Sequence, residues 1–179
     1  SLIIIALRGI IQTACRKKSA KQHEQLVRIG DLGETRLYNS LSAIPGSKKL
    51  LRHLYLPTGE DGRTTEIDLV MIHRTGIYVF ESKNYSGYIK GRERKKRWIQ
   101  VTRSGKRPFY NPIMQNAGHI RALRRILYRA VDRSNSDPVA ALGHRYHSII
   151  VFGNHCNIER VRIRKSRAHL VHYQDVEQL

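Results

Sequence analysis

The strongest constraint on the fold of this chain is a pair of apolar runs, "EIDLVMIH" (66–73) and "GIYVFESKNY" (76–85), joined by little more than "RTG". Runs rich in Ile, Val, Leu and Tyr read as strands, and so short a connection allows an antiparallel hairpin but no parallel crossover. Three ionisable residues interrupt the pattern. Asp68 lies near the start of the first run, with Val70 and Ile72 on its face, and Glu81 and Lys83 stand near the end of the second. Residues i and i+2 of a strand share a face, so Glu81 and Lys83 sit side by side where a core strand emerges. The start of one hairpin strand is adjacent to the end of the next, so Asp68 converges on them. Charges there are costly to bury unless they are paired or have a task.

The rest of the chain supplies partners for this hairpin. Residues 22–44 carry Leu26, Gly30, Gly33, Leu37 and Leu41 at the spacing of one helix face. The two inward glycines imply close approach to a neighbour, and Pro45-Gly46 stops the helix. "KKLLRHLYLP" (48–57) reads as a further strand, and residues 88–103 as a small hairpin. Asn111 can cap a helix starting at Pro112, with Ile113, Ala117, Ile120, Leu123, Leu127 and Val131 facing inward. "HSIIVFGN" (147–154) is a buried-strand candidate and "AHLVHY" (168–173) a weaker one. The order is α-β-β-β-α-β-β, an α/β sandwich around a central mixed sheet flanked by helices. A length of 179 residues suits one domain, 22–179, behind an apolar and basic N-terminal segment, 1–21.

Two carboxylates and a backbone carbonyl are hard oxygen ligands of the kind that hold Mg²⁺ or Mn²⁺. Lys83 beside such a metal could orient a water and offset charge growing on a phosphate oxygen. Metal-assisted phosphodiester hydrolysis follows as the expected chemistry. The charge balance points the same way. There are 33 Lys and Arg against 14 Asp and Glu, a formal charge of +19, which implies a polyanionic partner: nucleic acid first, an anionic membrane surface second. Arg92, Arg94, Lys95, Lys96 and Arg97 form a run suited to phosphates, and Arg121 and Arg125 lie on the outer face of the second helix. Trp98, alone in its hairpin, reads as core packing.

These residues also resemble a family. Asp68 followed by Glu81-x-Lys83 on successive strands resembles the PD-(D/E)XK nuclease signature. More narrowly, Gly33-Glu34, "EIDLVMIHRTGIYVFESKNYSG" and "YNPIMQNAGHIRAL" are similar to the nuclease-related domain, NERD. The resemblance covers about residues 27–131, with 147–153 as the next core strand. It implies a restriction-endonuclease-like fold with an α-β-β-β-α-β core and a Mg²⁺-dependent DNA nuclease. In that reading Asp68 and Glu81 bind metal, Lys83 assists the attacking water, Glu34 projects from the first helix toward the metal, and Gln115 points from the second helix toward the site. One departure is that related nucleases often carry a tyrosine four residues after such a glutamine, where this chain has His119.

Other chemistries find less support. His144, His147, His155 and Cys156 fit no closed zinc spacing, and adjacent His155 and Cys156 would point to opposite faces of a strand. No G-x-S-x-G elbow and no phosphate-binding G-x-x-x-x-G-K-[ST] loop is present. Cys15 and Cys156 form no CxxC pair, so a reducing, cytoplasmic setting is expected. The opening "SLIIIALRGIIQTACRKK" is too short to span a bilayer. It reads either as an amphipathic helix on the domain or as the tail of a membrane anchor with the domain facing the cytoplasm. The rival to a nuclease is a non-catalytic nucleic-acid-binding or adaptor domain with the same fold. DNA and RNA remain alternatives as ligand, and duplex cutting would call for a homodimer with two sites.

Overall fold

The computed structural model describes residues 27–59, 62–132, 145–164 and 167–178. In chain order the elements are α1 (Val27–Ala43), β1 (Lys48–Pro57), β2 (Thr64–His73), β3 (Gly76–Lys83), β4 (Gly87–Arg92), β5 (Arg97–Thr102) and β6 (Gly105–Tyr110). There follow α2 (Pro112–Asp132), β7 (Tyr146–Phe152), β8 (Cys156–Asn157), β9 (Val161–Arg162), β10 (Ala168–His172) and a 3₁₀ helix, Tyr173–Gln178. The segment 1–21, the expected first turn of the leading helix at 22–26 and His144 lie outside the described residues. Among the described residues no helix is long and apolar enough to cross a membrane.

The fold is α/β with a mixed sheet. The main sheet runs β1-β2-β3-β7-β10. Its first three strands form an antiparallel meander, and β7 and β10 lie parallel to β3. On one face, Ala122, Leu123 and Leu127 of α2 pack on Val70, Ile77 and Val79. On the other, Leu37 and Leu41 of α1 pack on Leu69, Met71 and Phe80, joined by Tyr173 and Val176 of the 3₁₀ helix. Asn111 caps α2 as expected, its Oδ1 accepting from Ile113 N at 2.9 Å. Asn116 then ties the helix to the sheet through Val79 O and Ser148 Oγ.

The strand alternation slips at one level of the sheet. Val70 faces α2 and Leu69 and Met71 face α1, yet Ile67 is back on the α2 side. In β1, Leu51 and Leu54 likewise share the α2 face. The slips fall at Asp68 and at His53, whose φ of 51° is left-handed. The register is the same on both sides, Arg52 with Leu69 and Leu54 with Ile67, so each strand carries one irregular residue at the same level. Such irregularities re-aim side chains, and here one of them is Asp68.

Beside the expected central mixed sheet lies a second one. This second sheet, β6-β5-β4-β8, with β9 also beside β4, continues from the ends of β3 and β7. The small hairpin expected at 88–103 is its centre. β6 was not foreseen because "GKRPFY" is basic and contains Pro108; as an edge strand it tolerates a proline. The strand expected to reach residue 85 ends at Lys83. Trp98 is fully buried, as read from the sequence, and packs with Ile89, Ile113, Ile150 and Phe152. A Cβ on Gly91 would overlap the indole ring.

Candidate active site

The backbone ladder between β2 and β3 runs from His73 and Gly76 to Leu69 and Phe80 and stops there. The next facing positions are Asp68 and Glu81. Where the ladder ends, the Asp68 side chain replaces a backbone acceptor: Ser82 N–H donates to its Oδ2 at 2.7 Å. Beyond this point β3 stays paired with β7, Glu81 with Ile150 and Lys83 with Phe152. Glu81 and Lys83 are therefore held by a rigid parallel pair, and Asp68 faces them from the antiparallel neighbour, whose ladder with β3 has ended.

Glu81 is 1% exposed and both of its oxygens are occupied. Lys83 Nζ lies 2.6 Å from Oε1, and His119 Nε2 lies 2.9 Å from Oε2. His119 Nδ1 is in turn 2.9 Å from Thr65 Oγ1. Lys83 also donates to Gln115 Oε1 at 3.3 Å. Burial alone would lower the Lys83 pKa, but the charge and hydrogen bond of Glu81, with Tyr85 and Asp68 adding, leave the pKa above its usual value. Lys83 is thus an ammonium, a donor and a positive charge. Asp68 is shifted furthest, from 3.8 to about 8, chiefly by burial and then by the charge of Glu81, with Glu34 adding and the Ser82 hydrogen bond opposing.

Glu34 approaches from α1, its Oε2 3.5 Å from His53 Nδ1, which also lies 3.4 Å from Glu66 Oε1. The slip in β1 thus brings His53 to the acids. From the last element, the Tyr173 hydroxyl sits 2.5 Å from Ser82 Oγ and against Gly33, where a Cβ would overlap it. Burial raises the Tyr173 pKa and the Ser82 bond lowers it, with Glu34 and Asp68 adding to the rise.

The structure brings Asp68, Glu81, Lys83 and Gln115 into one connected cluster, with Glu34 near enough to act on Asp68. The basic candidates divide. Arg92, Arg94, Lys95, Lys96, Arg97 and Arg121 are exposed, whereas Arg125 donates to Pro57 O at 3.0 Å and braces α2 against β1. Sequence reasoning missed His53, Thr65 and Tyr173, and gave His119 no role. The signal for His119 was present: it lies one helical turn beyond Gln115, on the same side of α2. Tyr173 carried no signal, being a single aromatic after a weak strand.

Asp68 and Glu81 fit a hard divalent cation. Burial, and after it the charge of Glu81, pushes the Asp68 carboxyl up to about 8, and a positive charge between the two carboxylates relieves both causes. Among the described residues no three His, Cys, Asp or Glu form a ready metal cage. Mg²⁺ needs none, since it keeps several waters and binds through one or two carboxylates and substrate phosphates.

A family model described as the nuclease-related domain matches residues 29–153. The matched span holds Glu34, Asp68, Glu81, Lys83 and Gln115. A Bacillus anthracis protein described as uncharacterised is 30% identical over 175 residues, 98% of this chain and 72% of the relative. No solved structure matches the chain.

Proposed function

The chain belongs to the nuclease-related domain family, and from that premise we propose that it is a metal-dependent nuclease that hydrolyses phosphodiester bonds in DNA. The observation that carries this reading is that Asp68 and Glu81 face each other just past the last pair of the β2–β3 ladder, with the Lys83 ammonium 2.6 Å from Glu81. Asp68 and Glu81, with Glu34 behind them, would hold Mg²⁺ or Mn²⁺, which supplies Lewis-acid polarisation of the phosphoryl group and a lower pKa for bound water. Lys83 presents a proton donor toward the attacking water or a non-bridging oxygen. Gln115 and Glu81 fix its direction, and His119 fixes Glu81. The exposed run Arg92–Arg97 holds the nucleic-acid backbone.

The test is cleavage of supercoiled plasmid and of a labelled single strand with Mg²⁺, Mn²⁺ or EDTA. Asp68→Asn, Glu81→Gln and Lys83→Ala are each expected to lower the rate by about a thousandfold or more while binding in EDTA persists. Cleavage unchanged in all three variants would sink the assignment. One observation favours a second reading, a non-catalytic nucleic-acid adaptor: both Glu81 oxygens are already engaged within the protein. That reading predicts salt-sensitive binding and no cutting in either metal.

A further inference from the structure

The large apolar side chains on the outer face of the second sheet have no task in the site just described. The sheet's inner face is covered: Ile89, Trp98 and Phe109 pack toward the main sheet and α2. The alternate residues therefore point away from the molecule. Tyr88 on β4, Ile99 on β5 and Tyr110 on β6 are 49%, 38% and 46% exposed. Apolar side chains as large as these at solvent-facing positions of three adjacent strands call for an explanation.

Their arrangement follows from the register. Tyr88 is opposite Val101 and Lys90 opposite Ile99; Ile99 is opposite Pro108, and Arg97 opposite Tyr110. Tyr88, Ile99 and Tyr110 thus lie on one diagonal, each step moving one strand across and two residues along. With strands about 4.8 Å apart and two residues spanning about 6.7 Å, a step is about 8 Å and the diagonal about 16 Å. Lys90, Arg92 and Arg97 occupy the positions to one side of it, all exposed. Arg160 adds a guanidinium 5.4 Å from the Tyr88 ring centre.

We propose that the Tyr88–Ile99–Tyr110 diagonal is a stacking platform for single-stranded nucleic acid, with Lys90, Arg92 and Arg97 neutralising its phosphates. This rests on the reading of the chain as acting on nucleic acid, and it names the form of the ligand. Exposed aromatics on a sheet, bordered by Lys and Arg, bind unpaired bases through their flat faces while the cations follow the backbone. A diagonal of this length takes two or three bases. A duplex keeps its base faces hidden and gains only the charge contacts. A protein partner fits less well, since interface centres are poor in lysine. β4 begins at Gly87, shortly after the strand that ends in Lys83, so only a short connection separates the platform's first strand from the strand that carries Glu81 and Lys83.

The test is anisotropy of labelled twelve-nucleotide dT and rU strands and a twelve-base-pair duplex, in EDTA so that nothing is cut. Tyr88→Ala/Tyr110→Ala should weaken single-strand binding at least about tenfold and change duplex binding less than twofold. Tyr88→Phe/Tyr110→Phe, which keeps the rings, should stay within twofold of the parent. Both pairs replace exposed residues, and a thermal melt checks the fold. Binding of either sugar supports the platform, and the better of the two arms names it. Single-strand binding within twofold of the parent in the alanine pair overturns the platform, as does an equal loss on duplex. Failure of the nuclease reading shows elsewhere, as absence of metal-dependent cutting with platform binding intact.

Discussion

Asp68 is the residue at which structure and chemistry meet most directly. Without metal its pKa stands at about 8 instead of 3.8, because burial and then Glu81 disfavour its charge. Between those values the folded chain holds a proton that the unfolded chain has released. The stability from this residue is therefore fully present below about pH 4 and is lost as pH rises through about 8. Asp68→Asn keeps an acceptor for Ser82 N–H and removes the charge. In EDTA the variant should melt above the parent at pH 9 and much closer to it at pH 4, by differential scanning calorimetry. Equal melting temperatures at both pH values would mean that the carboxylate ionises there without penalty. Mg²⁺ should raise the melting temperature of the parent at pH 9 and leave that of the variant nearly unchanged.

At the scale of elements, the contact between α1 and the 3₁₀ helix braces the back of the site. Gly33 faces the Tyr173 hydroxyl and the Asn84 side chain so closely that Gly33→Ala must displace them. Urea unfolding should show a loss of about 1–3 kcal/mol, and a clearly smaller loss in a Tyr173→Phe background, where the displaced oxygen is gone. Additive losses would place the strain elsewhere. The sequence already suggested close approach at Gly33 but not what approaches, since no local pattern links a helix to a tyrosine far along the chain. The β2–β3 hairpin, the cap at Asn111 and the convergence of Asp68 with Glu81 were readable because each rests on neighbours in sequence. The slip at His53 and Asp68 was not, because it shows only in which face each flanking side chain finds. β6 was hidden for a related reason: its one covered side chain, Phe109, gains its meaning only from Trp98 and Tyr85 on other segments.

Over the whole molecule the +19 charge sets how any nucleic acid is held. Each neutralised phosphate releases counterions, so the logarithm of affinity should fall linearly with the logarithm of salt concentration. Arg94→Ala/Lys96→Ala should reduce that slope by about 2 on single strand and duplex alike, in a salt titration of the binding constant. An unchanged slope would remove the β4–β5 turn from the backbone contact. The clasp of Gly33 by Tyr173 also has a consequence in time. It joins the first described helix to the last described element, and a contact so distant along the chain forms only after the intervening loop has been closed, at an entropic cost that slows it. Refolding should bury Trp98, whose packing partners Ile89, Ile113, Ile150 and Phe152 lie nearer along the chain, before Tyr173 reaches Ser82. In this order the acids gather early and their backing arrives last, so the complete cluster is a late product of folding.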